Sequence, residues 1–297
     1  MLHPLIRRTN RGHIRIMTYG LILVLFASLC WSILDILRKY LVQKINPFVL
    51  TAALCFGQAW LFLLSYGITG FPVPAQPYWF YGIICSLIAL FAALGLNWAL
   101  RISPLSQCIP MLCLTPAFAM LHGYLLLNET LSVIQLFGLI VSVLGAVGFG
   151  LEKGWSRSKG AYLMIGVAFL FSLTMALDKI ALKHATLTAH AFFQSFLISV
   201  LLIGIVFLRK LNQDIYKVWQ SKGLYLSAVL GIALAVGLQL EAVKYMDISL
   251  LEAIKRCFCL FAAIFAGYGF FKEPITFKRM ASAILLAVGV CTLILDG

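Results

Sequence analysis

A chain of 297 residues that is 62% hydrophobic and only 11% charged, with a mean hydropathy of +1.00, has too little polar surface to be a water-soluble globule. The net charge of +13 lies mostly in the N-terminal stretch and the loops, where anionic lipid headgroups would meet it, and is not a nucleic-acid signal. Continuous apolar runs, without ten-residue alternation, exclude a β-barrel and leave a polytopic helical membrane protein.

Residues 1–16 are read as a basic N-terminal tail carrying Arg7, Arg8, Arg11 and Arg15. No small-x-small cleavage pattern follows, so the first apolar run is expected to be a retained helix rather than a secretory signal. Ten spans are predicted, at 17–37, 47–68, 78–99, 104–127, 132–151, 160–182, 188–208, 223–243, 248–271 and 276–295. Each is about the 20 residues a bilayer requires. Connections such as 128–131 and 272–275 are too short to hold a soluble catalytic or receptor domain. Aromatic residues gather at span ends (Tyr78, Trp79, Tyr81; Tyr216, Trp219, Tyr225), where amphipathic rings favour the headgroup region. The eight cysteines all fall in apolar runs without a CxxC pair and read as small core side chains.

Polar residues inside these spans are the candidate functional groups. The first span carries Trp31 and ends in Asp35, Arg38 and Lys39, and the sixth ends in Asp178-Lys179. Near helix ends, Asp35, Lys39, Asp178 and Lys179 read as gating or coupling groups joined in salt bridges. Gln194 and Gln239 are amides within spans seven and eight, where an unpartnered amide is unfavourable; they read as interhelical bonds and as ligand contacts. The ninth span holds Glu252, Lys255 and Arg256 at i, i+3 and i+4, which sets one carboxylate beside two cations on one helix face. Three charges at mid-membrane depth would cost roughly 8–10 kcal/mol before any pairing, so a polar cavity is expected around them. In that cavity Arg256 would offer a planar clamp to a carboxylate or phosphate and Lys255 a point charge, while Glu252 would hold both or carry a proton. Trp31 would stack on the solute. Glu129 and Glu273, in tight turns, are expected to cap the helices that follow them. Small residues on span five (Gly138, Ser142, Gly145, Ala146) and span ten (Ala283, Ala287, Gly289) should allow close helix approach.

The two halves, 17–151 and 160–295, form a weak repeat. Gly123-Tyr124 followed by Glu129 recurs as Gly267-Tyr268 followed by Glu273 at the same spacing. Ala99 and Arg101 match Ala242 and Lys244, Ser32 and Lys39 match Ser172 and Lys179, and Gly145 matches Gly289. Five spans per half force the second half to begin on the opposite side of the membrane, so the fold expected is all-α, with ten transmembrane helices as two inverted five-helix repeats.

On this duplicated layout, and on residues 115–129 (TPAFAMLHGYLLLNE), the chain is similar to the EamA-type members of the drug/metabolite transporter superfamily over essentially its full length. The second half departs from that pattern, with Leu260 where the first has Pro116. The resemblance implies a secondary transporter working by alternating access, exporting amino acids, metabolites or drugs. Lys255-Arg256 also resembles the basic pair that binds the substrate's anionic group in the sugar-phosphate translocator branch.

The function expected is therefore movement of a small polar organic metabolite, anionic in the sense of a carboxylate or a phosphorylated solute. A lipid-headgroup flippase, and an amino-acid or drug exporter without anion preference, stay open beside it. No catalytic, ATP-binding or metal motif occurs in its required context, so no enzyme activity and no cofactor are expected. The expected partners are a small-molecule substrate, membrane lipids and protons as a coupling ion, with the chain a monomer or homodimer in a cell membrane of the bacterial inner-membrane type. Basic residues concentrate after odd-numbered spans, which by the positive-inside rule places both termini outside.

Overall fold

The computed structural model describes residues 3–103, 105–130, 132–151, 159–269 and 277–295. Glu273 lies outside them. All regular structure among the described residues is helical: α1 (His3–Lys44), α2 (Pro47–Ile68), α3 (Tyr78–Ile102), α4 (Leu105–Leu112), α5 (Thr115–Leu127), α6 (Val133–Leu151), α7 (Lys159–Ala181), α8 (Leu187–Leu208), α9 (Gln213–Gln220), α10 (Lys222–Ala242), α11 (Ile248–Gly269) and α12 (Phe277–Leu295). Most predicted span limits fall within a residue or two of a helix end because local chemistry marks them. At the start of α2, for example, the Asn46 side chain accepts the Phe48 N–H at 3.0 Å and Pro47 supplies a preset φ.

Three regions differ from expectation. Helix α1 runs from His3 to Lys44 rather than over 17–37, so the basic stretch and the first span are one helix, and Asp35, Arg38 and Lys39 lie within it rather than at its end. The fourth span is broken into α4 and α5, because Pro116 has no N–H to donate and its ring collides with the carbonyl of Leu112. That carbonyl is taken instead by the Thr115 hydroxyl at 2.5 Å. Between spans seven and eight the chain forms α9, with Val218 buried and Tyr216 and Trp219 exposed, which suits an interfacial helix.

Helix contacts follow the repeat. Helices α2 and α8, and likewise α6 and α12, are equivalent spans packed on each other. Helix α3 packs on α7 as α1 packs on α10, and α5 packs on α7 as α11 packs on α1, so each contact maps to its counterpart when the halves are exchanged. The α6–α12 contact depends on missing side chains: a Cβ on Gly145 would fall 2.5 Å from the Leu286 backbone nitrogen. On the outside, α1 shows an exposed stripe of Ile22, Phe26, Leu29 and Ile33, while Val24, Ala27, Leu34, Asp35 and Arg38 are buried. The hydrocarbon-facing surface is apolar and the ionic groups turn inward.

The recurring Gly-Tyr…Glu spacing has a structural reason in the first half. Asn128 ends α5 in the left-handed region (φ 57°), and the N–H groups of Asn128 and Glu129 both return to the Gly123 carbonyl. A Cβ on Gly123 would lie 2.6 Å from the Glu129 carboxylate, so glycine there makes room for the acid. Glu129 does cap a helix, but not the following one. It accepts the Ile248 N–H at 3.1 Å, at the start of α11 in the other half, and pairs with Lys179 Nζ at 2.6 Å. Burial raises its carboxyl above the usual value, against the pull of Lys179 and the Ile248 N–H. Helix α6 is capped by its own reciprocal pair instead: Ser132 N–H donates to Gln135 Oε1 at 2.9 Å and Gln135 N–H to Ser132 Oγ at 3.1 Å.

Candidate functional site

A cavity of about 100 Å³ lies between the two halves, lined from α1, α2, α3 and α4 on one side and from α7, α8, α10 and α11 on the other. Trp31, Asp35, Arg38, Asp178, Gln194, Gln239, Glu252, Lys255 and Arg256 all face it. Lys39 and Lys179 do not line it. Lys39 Nζ donates to the carbonyls of Leu100 (2.6 Å) and Ser103 (2.8 Å), and Lys179 Nζ to that of Met246 (2.9 Å). Ser103 and Met246 each stand four residues past the matched alanines Ala99 and Ala242, so the two lysines satisfy equivalent helix ends in the two halves.

One wall is built on the ninth span. Glu252 is fully buried, with its two oxygens divided between Lys255 Nζ and Arg256, whose Nε and Nη2 each lie 3.2 Å away. The 3.6-residue pitch brings positions i, i+3 and i+4 to one face, which is why a single helical turn can assemble this triad. Lys255 Nζ also donates to Gln239 Oε1 at 2.9 Å, and the same oxygen accepts the Trp31 indole N–H at 2.8 Å. Two donors on one oxygen orient the amide, sending Gln239 Nε2 to Met175 Sδ at 2.9 Å. The Trp31 ring has two cations near its face, the Arg38 guanidinium 5.4 Å and Lys255 Nζ 5.8 Å from its centroid.

A second part of the lining is built around Asp178. Its Oδ1 is met by His190 Nε2 at 2.9 Å, Cys85 Sγ at 2.9 Å and Gln194 Nε2 at 3.0 Å. Tyr78 Oη lies 3.2 Å from His190 Nδ1, which occupies the other ring nitrogen. The donor atoms of Cys85, Asp178 and His190 lie within 4.8 Å of one another, a closeness the hydrogen bonds already account for. His190 and Cys85 were invisible as site residues in the sequence. One is a lone histidine in an apolar run and the other a cysteine like seven more, and only the meeting of α3, α7 and α8 joins them to Asp178.

Arg38 is the second group that sequence reasoning undervalued. Read as part of a salt-bridged cluster near a helix end, it does pair with Asp35, and it also lies 3% exposed on the cavity wall. Asp35 Oδ1 is 3.6 Å from its Nη1, near enough for Coulomb attraction and too far for a hydrogen bond. Its buried Nε and Nη1 have no hydrogen-bond partner.

Ten spans in two inverted halves, with a cavity lined by ionic groups between them, make a multi-pass membrane protein. The sequence profile of the EamA-like transporter family matches residues 18–151 and again 158–295, and the chain belongs to that family, within the drug/metabolite transporter superfamily. An uncharacterized transporter of Methanothermobacter thermautotrophicus (strain Delta H) is 27% identical over 186 residues, a match covering 61% of this chain and about half (54%) of the relative's length. A crystal structure of another protein has the same fold, with a TM-score of 0.73 over 94% of this chain and 98% of that one at 18% identity.

Proposed function

We propose that this chain is a secondary transporter carrying a small polar organic solute with an anionic group through the cavity between its halves, which expose it alternately to the two faces of a cell membrane of the bacterial inner-membrane type. The observation that supports this reading best is the wall shared by both halves. Trp31 of the first half and Lys255 of the second donate to the same Gln239 oxygen beside the buried Glu252 triad. A solute bound there contacts both bundles, so its binding free energy differs between states in which the bundles are differently disposed, as alternating access requires.

In this reading Trp31, Gln194, Gln239, Glu252, Lys255 and Arg256 form the binding surface. Asp35 and Asp178 are the cavity carboxylates available for proton coupling, and Lys39 and Lys179 hold helix ends while the halves move. The test is solute flux in proteoliposomes across metabolites, amino acids and phosphorylated compounds, with and without a proton gradient. Arg256→Ala and Lys255→Ala each leave Glu252 with one cation, so both variants should fold and fail to transport. Wild-type flux in both folded variants would remove the proposed site.

A further inference from the structure

The cavity lining holds three cations, Arg38, Lys255 and Arg256, and three carboxylates, Asp35, Asp178 and Glu252, so their formal charges cancel. The cations are not equivalent. Lys255 and Arg256 both bond the Glu252 carboxylate, and Lys255 also donates a hydrogen bond to Gln239. Arg38 is buried on the cavity wall, ion-paired with Asp35 at 3.6 Å but with no hydrogen-bond partner for Nε and Nη1. Buried guanidinium donors without acceptors are costly, and on a cavity wall they can recover that cost from a ligand that presents matching acceptors.

We infer that the transported solute carries a single carboxylate and that Arg38, rather than the Lys255-Arg256 pair, is its clamp. The inference rests on the cavity being the solute site. A carboxylate matches the planar guanidinium fork in shape. A dianion, whether a phosphate ester or a dicarboxylate, would bring a second negative charge to a lining whose cations and carboxylates are already equal in number. The Trp31 face beside Arg38 supplies the apolar floor, and Asp178, elsewhere in the lining, is the place where an ammonium group on the same solute would be received.

The experiment is thermal unfolding of purified full-length protein with lactate, alanine, malate, glycerol 3-phosphate or glycerol at matched concentrations. The proteins are wild type, R38Q and the double variant D35N/R38Q, which removes both charges of the pair and leaves no new unpaired ion. Lactate or alanine should stabilise the wild type, alanine more than lactate if Asp178 takes an ammonium. Malate and glycerol 3-phosphate should stabilise it less, and glycerol not at all. In R38Q and in D35N/R38Q the affinity for the monocarboxylate should fall roughly 10- to 100-fold, the loss expected for hydrogen bonds to a charged group. Undiminished stabilisation in the folded variants, or stabilisation of the wild type by the dianions above the monocarboxylates, would overturn the role of Arg38 and leave the cavity as a solute site. Stabilisation of the wild type by none of the probes would overturn both readings.

Discussion

The fourth and ninth spans hold equivalent places in the two halves, yet one is broken and uncharged where the other is continuous and carries three ions. In the first half Pro116 splits the span into α4 and α5, and Thr115 satisfies the Leu112 carbonyl that the proline leaves free. In the second half Leu260 stands in its place and α11 runs unbroken from Ile248 to Gly269. The two spans touch, with Cys113 Sγ at the break 4.0 Å from the Arg256 carbonyl. The comparison shows that the repeat governs the scaffold and not the site. Matched residues such as Lys39 and Lys179 do the same structural work at matched helix ends. Charges that need one helical turn to share a carboxylate occur on the span that remains a helix.

That contrast can be broken most severely at Glu252. Glu252→Gln leaves two buried cations without their shared anion, and the expected cost is about 3–5 kcal/mol. Little monodisperse protein should survive size exclusion, whereas Lys255→Ala and Arg256→Ala should survive it. Next in size, Leu260→Pro copies the break of the fourth span into α11 and should cost about 3 kcal/mol or more, read as a lowered unfolding temperature. Recovery of wild-type stability in that variant would show that α11 tolerates the geometry of α4 and α5.

Smaller effects sharpen the same picture. Gly145→Leu sets a side chain against the Leu286 backbone, where α6 meets α12, and should destabilise by about 1–3 kcal/mol or more while leaving the ionic chamber intact. His190→Ala removes one donor to Asp178 and should cost about 1–3 kcal/mol in thermal unfolding. Smallest is the reverse experiment: Pro116→Ala should change stability by about 1 kcal/mol or less, because packing against α7 and α11 holds α5 in place. A large loss there would mean that the break itself stabilises the fold.

Much of the architecture could be read from residue order alone. Apolar length sets span number in a bilayer, and proline, Asn46-Pro47 and short polar links set most ends, so helices such as α2 and α8 appear nearly where expected. The Glu252 triad was legible for a related reason, since all its members lie within one turn of one helix. The repeat was legible at Gly123 and Glu129, whose spacing is dictated by a turn that needs room for an acid. What was not legible is which face of each helix turns inward. In lipid both faces are apolar, so hydrophobic periodicity, which separates core from surface in water, carries little information here.

The sequence by itself therefore determined a ten-span inverted repeat, its family, and a cluster of membrane-buried ions, because length, hydropathy and one-turn spacing are local properties. Only the tertiary structure decided that Glu129 caps a helix of the opposite half, that Lys39 and Lys179 are spent on carbonyls, that His190 and Cys85 meet Asp178, and that Arg38 faces the cavity with donors unused. Each of those outcomes depends on how separate helices meet, which follows from packing geometry and which no local pattern encodes.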